Sequence, residues 1–242
     1  MPKDDIYSQP LTEIAGFRFD QRVVDVFPDM IQRSVPGYTS IISVTGTLAN
    51  RYAQAGSNLY DLGCSLGAST FAMRDQIADR DCCIVAVDNS APMLNRCQEL
   101  LAQQPSGCEV ALLNADICDI EIQNASMVVL NFTLQFVPIA KRGPLLTRIF
   151  EGLLPGGVLI LSEKVSFEDD EHHRLMTDLH HHFKRAQGYS DLEVSQKRAA
   201  LDNVLVPETL ACHQKRLADA GFSVVDNWFQ CFNFASLIAR KR

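Results

Sequence analysis

A surplus of positive charge is the first thing this chain lacks. Its 242 residues carry 22 Lys and Arg against 29 Asp and Glu, a formal net charge of −7. A sequence-independent grip on a nucleic-acid backbone needs the opposite balance to displace counterions, so direct nucleic-acid binding is not expected. No stretch reaches the roughly 18 uninterrupted apolar residues of a membrane span, so no membrane partner is expected either. The opening "MPKDDIYSQP" has charges and prolines where a signal peptide has an apolar core. Eight cysteines are present, Cys82 and Cys83 adjacent, but no C-x-x-C pair. That argues against a disulfide framework and for reduced, mostly buried thiols, and a cytoplasmic location is the expectation. Neither H-E-x-x-H nor G-x-S-x-G occurs. Five of the six histidines lie in "HHRLMTDLHHH", with its two groups seven to ten residues apart, and they are expected as exposed helix positions or a satisfied interface, with no metal bound. The basic pairs Lys184-Arg185, Lys197-Arg198 and Lys215-Arg216 are expected as solvated helix faces or ends, Arg198 excepted below.

What is present suits one large α/β domain, because 47% hydrophobic and 21% charged residues over this length bury a substantial core. Residues 1 to about 15 read as a loose leader. Helical spacing in "FDQRVVDVFPDMIQRSVPGYTSIISVTGTLANRYA" is interrupted at Pro28 and at Pro36-Gly37, which predicts short helices and then a longer one from about Thr39, with Tyr38 at its entrance. This segment, residues 1–57, is expected to pack on the core and to share in a lid and a dimer surface. Residues 58–242 are expected as the main α/β domain. Here apolar runs ("NLYDLG", "CCIVAVD", "CEVALLNAD", "ASMVVLNF", "GVLILSEK") alternate with helical ones, one of them capped by Ser90 with Pro92 in its first turn. That alternation predicts a parallel sheet covered on both faces. At about 165–206 the rhythm lapses into two polar helices parted by Gly188, the second opened by a capping box of Ser190 and Glu193, and these are expected as a lid insertion. "SVVDNWFQC" and "FASLIARK" then close the sheet as an antiparallel hairpin. The sum is a Rossmann-like doubly wound, mostly parallel sheet of the class I S-adenosylmethionine-dependent methyltransferase type, since a dinucleotide enzyme more often continues with another βα unit.

"LYDLGCSLGAST" runs a strand through Gly63, Cys64 and Ser65 into a helix. It has an acid, Asp61, before the turn and lacks the G-x-G-x-x-G spacing of a pyrophosphate site. An acid there repels phosphate and suits the α-ammonium of a methionine moiety. Asp88, with Asn89 after it, ends the second strand, where a carboxylate accepts both ribose hydroxyls of an adenosine. Asp116 and the Ile117 amide follow the third strand and suit the adenine edge. Asn131 ends the fourth, over the cleft where open α/β sheets bind ligands. On the residues alone a methyltransferase acting on a small molecule remains open beside any other use of the same nucleotide.

The runs "FDQRVVDVFPDMIQRSVPGY", "YDLGCSLGAST", "DNSAPML", "QNASMVVLNFTLQF", "LSEKVSFED", "GYSDLEVSQKR" and "WFQCFNF" are more specific. They cover nearly the whole chain and resemble the carboxy-S-adenosyl-L-methionine synthase family of the bacterial tRNA wobble-uridine pathway. The resemblance implies that S-adenosylmethionine and prephenate are the substrates and that carboxy-S-adenosylmethionine and phenylpyruvate are the products. It also implies a homodimer and a base that arrives as the hydroxide leaving prephenate. Ligand contacts implied by the same resemblance fall on Tyr38, Gly63, Cys64, Ser65, Asp88, Asn89, Asp116, Ile117, Asn131 and Arg198. A carboxylate formed beside a sulfonium calls for a permanent cation, and the Arg198 guanidinium offers a bidentate match. Tyr38 is expected to close over the reacting methyl group and exclude water.

Overall fold

The elements form where the apolar runs and the caps place them. In the computed structural model, which describes residues 2–104 and 107–242, β1 (Ser57–Leu62), β2 (Cys82–Asp88), β3 (Glu109–Asn114), β4 (Ala125–Asn131) and β5 (Leu153–Ser166) are parallel. The hairpin of β7 (Val224–Cys231) and β8 (Phe234–Arg240) follows, with β8 antiparallel to β5, giving the order β3-β2-β1-β4-β5-β8-β7. A two-residue β6 (Glu208–Thr209) pairs with the far end of β5. Leu62, Leu130, Leu145, Ile149 and Leu217 fill one face, under α5 (Ile139–Gly152) and α8 (Leu210–Asp219). Ala49, Leu59, Met73, Met127 and Ile160 fill the other, under α2 (Tyr38–Tyr52) and α3 (Ala68–Gln76). Burying both faces is why the central strands read as unbroken apolar runs.

Two local expectations are corrected. Pro28 does not end a helix. It lies inside a continuous α1 (Gln21–Ser34), whose N-terminus is capped by Asp20 and whose buried Val23, Val24, Val26 and Met30 outweigh the one hydrogen bond a proline deletes. The leader is not loose, although residue 1 lies outside the described residues. Asp4 is buried and accepts hydrogen bonds from Lys197 and Tyr189, while Gln196 Nε2 donates to the carbonyls of Tyr7 and Gln9. Further along, α5 stops at Gly152, and β5 takes up the Pro-Gly-Gly that follows. A Cβ at Gly152 would lie 2.1 Å from the Ile122 carbonyl oxygen, so the close crossing fixes the helix end.

The polar insertion forms α6 (Asp170–Ala186) and α7 (Asp191–Leu201). The predicted Ser190 and Glu193 capping box is complete, and Asp169 caps the helix before it. With α1 and α2 these helices stand over the carboxyl ends of the strands. That is the side on which open α/β sheets place their ligand crevice.

Candidate active site

The strand ends, α1, α2 and the two inserted helices enclose a cavity of about 480 Å³. Its floor begins at the turn after β1. Gly63 holds φ +82, and a Cβ there would sit 2.4 Å from the Thr133 side chain, so only glycine keeps the chain this close to the loop after β4. Ser65 also takes a left-handed conformation, φ +49, one that ordinarily favours glycine. Its amide donates to Asp88 Oδ2 at 2.8 Å, and the Ser90 amide donates to Oδ1 at 2.8 Å. Asp88 thereby locks the β1–α3 turn to the start of α4 (Ala91–Ala102). Each of its oxygens keeps a lone pair for a ligand hydroxyl. Burial pushes the Asp88 carboxyl above its ordinary range, against the amides that favour the charged form. Asp61, 2% exposed, accepts the Thr70 hydroxyl at 2.6 Å, and burial lifts it to about 6.

Nine of the ten expected contact residues line this one cavity, from Asn89, Asp116 and Ile117 at one end to Asn131 and Tyr38 at the other. Cys64 contributes its backbone. Its sulfur packs behind the turn among Ala86 and Leu94, and the thiol is pushed up by its hydrogen bond with Cys97 and by burial. Asn131 is committed to the fold. Its Oδ1 accepts from Ser162 at 2.7 Å, and its Nδ2 donates to Ser69 at 2.9 Å and to Thr45 at 3.3 Å. Tyr38 is the first residue of α2, placed by Gly37 in the left-handed region, where a Cβ would strike Phe229 at 2.2 Å. Burial and the charge of Asp61 hold its hydroxyl protonated.

Arg198 is the tenth. It is exposed on α7 and does not line the cavity of this chain. The buried face of α7 presents Glu193, Val194, Gln196, Lys197 and Ala200, which turns Arg198 one helical step away. Burial lowers the pKa of Lys164 and His181, and the charge of Arg198 still reaches both and adds to that shift.

The structure also brings in side chains that the sequence reading set aside. Lys164, His180, Lys184 and Lys197 all line the cavity. The expectation that Lys184 and Lys197 are solvated is corrected, because each is only 5% exposed. His180, from the cluster expected on an exposed helix face or a satisfied interface, is buried inside the chain, and it shares its face of α6 with Lys184 one turn later. Its Nε2 lies 2.8 Å from the Ser34 carbonyl and donates to it, while burial together with Lys164 keeps the ring neutral. A signal for Lys164 was available, since it ends the apolar run of "GVLILSEK" at the carboxyl end of a buried strand. Beside it Glu163, buried, accepts the amides of Leu134 at 2.9 Å and Gln135 at 2.8 Å and fixes the loop after β4. Among the described residues no three His, Cys, Asp or Glu side chains gather as a metal site, and no helix is long and apolar enough to cross a membrane.

A family model described as a methyltransferase domain matches residues 59–157. The chain is 60% identical over 240 residues to a carboxy-S-adenosyl-L-methionine synthase of Geobacter sp. (strain M21), covering 98% of each chain. It is 56% identical over 238 residues to the protein of the same name from Aliivibrio fischeri (strain MJ11), again 98% of each. Among solved structures, an O-methyltransferase family protein of Burkholderia thailandensis superposes with a TM-score of 0.67 at 17% identity, over 92% of this chain and 60% of that one. Human N-acetylserotonin methyltransferase in complex with SAM gives 0.57 at 17%, over 91% and 55%. These structural likenesses speak to the fold, the class I methyltransferase fold predicted from the strand pattern.

Proposed function

The chain belongs to the carboxy-S-adenosyl-L-methionine synthase family, and from that premise we propose that it makes carboxy-S-adenosylmethionine with prephenate as the second substrate. Near-full-length identity to proteins of that name is the observation that carries the reading. In the proposed step prephenate loses carbon dioxide and its ring hydroxide and becomes aromatic as phenylpyruvate. The hydroxide takes a proton from the sulfonium methyl group and leaves as water. The carbon so freed forms a bond to the carbon dioxide, and the new carboxylate stands beside the sulfonium.

The site's own groups support this order of events. Asp61, lifted by burial to about 6, and His180, brought by burial down to about 3, are both too weak as bases to strip a sulfonium methyl proton. A substrate that brings its own hydroxide removes the need. In this reading Asp88 holds the ribose, Asp116 with the Ile117 amide reads the adenine, and Gly63, Cys64 and Ser65 pass the backbone under the methionyl group. Tyr38 covers the reacting carbon. Arg198 meets the product carboxylate by a movement of α7 or from a second copy of the chain, in keeping with the homodimer the resemblance implies. The product would serve a separate enzyme as donor for tRNA wobble-uridine modification in the cytoplasm.

Purified protein incubated with S-adenosylmethionine and prephenate is expected to yield a nucleotide heavier by one carbon dioxide, with phenylpyruvate in equal amount. S-adenosylhomocysteine accumulating with a methylated acceptor, and no carboxylated nucleotide from folded protein, would overturn the proposal.

A further inference from the structure

One wall of the cavity holds more positive charge than its own carboxylates answer. Lys164 comes from the end of β5, Lys184 from α6 and Lys197 from α7, and all three reach the lining. Among the described residues only Lys197 has a carboxylate partner, Asp4 at 3.4 Å, and the Ser34 hydroxyl lies 3.3 Å away. Asp4 also receives the Tyr189 hydroxyl, and nearby Asp29 is taken by Arg33 at 2.9 Å. Glu193 is closed into its capping box. Lys184 has the face of the Tyr189 ring, 5.0 Å from its ammonium, as its compensation. Removing an ammonium from water without a partner costs several kcal/mol, so a fold does not keep such groups for stability. The strain is visible in their basicity. Burial brings Lys184 down to about 7 and Lys197 to about 8, and it lowers Lys164 with the help of Arg198.

The same wall is aromatic. Tyr38 and Phe132 have ring centroids 6.2 Å apart, Phe132 and Phe234 6.1 Å, and Phe234 and His180 4.9 Å. The row therefore runs from the residue over the methionyl end to the helix that carries Lys184. Cations that lack partners beside a continuous row of rings suit a ligand that carries two carboxylates at one end of a six-membered carbocycle, the charges on the lysines and the ring along the aromatic row.

We propose that Lys164 and Lys184, backed by Lys197, receive the carboxylates of the second substrate and hold its ring along Tyr38, Phe132 and Phe234. This rests on the reading that a dianionic ring acid supplies the carboxyl group. The lysines act as binding and positioning groups, and the chemistry proceeds next to them.

The test compares full-length wild type with Lys164→Met, Lys184→Met and Lys184→Arg. Each methionine variant is expected to raise the KM for prephenate by about 10- to 100-fold, the worth of one lost hydrogen bond to a charged group. The Kd for S-adenosylmethionine should stay within about 2-fold, and the melting temperature should stay level or rise because an unpaired buried charge has gone. Lys184→Arg should recover most of the lost affinity. An unchanged prephenate KM in folded Lys164→Met and Lys184→Met would overturn the proposal. So would a loss confined to kcat, which would make Lys184 a base and not a binding group. Calorimetric titration of prephenate into protein saturated with S-adenosylhomocysteine examines the same wall without turnover. If wild type forms no product yet binds prephenate through these lysines, the functional reading fails and the wall stands. If it forms product and the variants bind prephenate as wild type does, the wall fails alone.

Discussion

The two ends of the cavity obey opposite rules. At the glycine-turn end the fold answers its own charges: Asp88 has the Ser65 and Ser90 amides, and Asp61 has the Thr70 hydroxyl. At the lysine end, half-buried Lys164 and buried Lys184 have no carboxylate partner among the described residues, and only Lys197 has one. The first arrangement is preorganised, so a ligand adds contacts to groups already held in place. The second is incomplete until an anion arrives. An unanswered buried charge thus points to a ligand more strongly than a satisfied one does, because nothing in the free protein repays its desolvation.

Arg142 shows that this chain does answer a buried cation where stability is at stake, and removing it gives the largest effect expected here. It is fully buried and donates to the carbonyls of Val137 at 2.9 Å, Gln135 at 3.2 Å and Val206 at 2.9 Å, and it pairs with Glu208. Arg142→Ala leaves those acceptors unpaired and should cost about 3–5 kcal/mol in urea unfolding. Because Gln135 lines the cavity and Val206 follows the inserted helices, both ends should weaken together. Glu208, held near 2 by Arg216 and Arg142, adds a pH signature. Its contribution is complete above the ordinary glutamate range and disappears as pH falls from about 4.5 toward 2, so the variant's acid limb should be shallower than wild type's. A loss below about 1 kcal/mol would show that the knot is not what fixes the loop between the two ends.

Asp88→Ala should separate the ends. It removes the acceptor for two backbone amides and for the proposed ribose contact, and it should weaken S-adenosylmethionine by about 1.5–3 kcal/mol, or roughly 10- to 150-fold by calorimetry. Prephenate binding to the lysine wall should change little. Equal loss at both ends would mean that the cavity is a single cooperative unit and that the contrast between its halves is false.

The same contrast explains what was legible in the sequence. The nucleotide end is written locally: apolar runs mark the strands, and Asp61, Asp88, Asp116 and Asn131 fall at or beside their ends, so an apolar run and a turn signal suffice to bring them together. The lysine end is assembled from residues 38, 132, 164, 184 and 234, and no short window holds them. Lys184 and Lys197 sit in helices that read as polar all round, where a charged residue ordinarily faces water. Their burial depends on the leader folding back to place Asp4 against α7, and that is a long-range contact without a sequence period. Its strand position predicts Asn131 as a ligand contact. Its side-chain bonds to Thr45, Ser69 and Ser162 depend on helix packing that the strand pattern does not encode.

Ser65 carries the smallest expected effect. A serine at φ +49 bears about 1–2 kcal/mol of strain that glycine would not, while glycine gives back about 0.5–1 kcal/mol in unfolded-chain freedom. Ser65→Gly should therefore stabilise the protein by up to about 1 kcal/mol in thermal unfolding, and the amide bond to Asp88 should persist. If affinity for S-adenosylmethionine stays the same, the serine contributes only its backbone. If affinity falls while stability rises, the hydroxyl touches the ligand and the strain is retained for binding. Destabilisation would mean that the left-handed turn is held by the serine side chain, and the nucleotide end would then owe its preorganisation to more than Asp88.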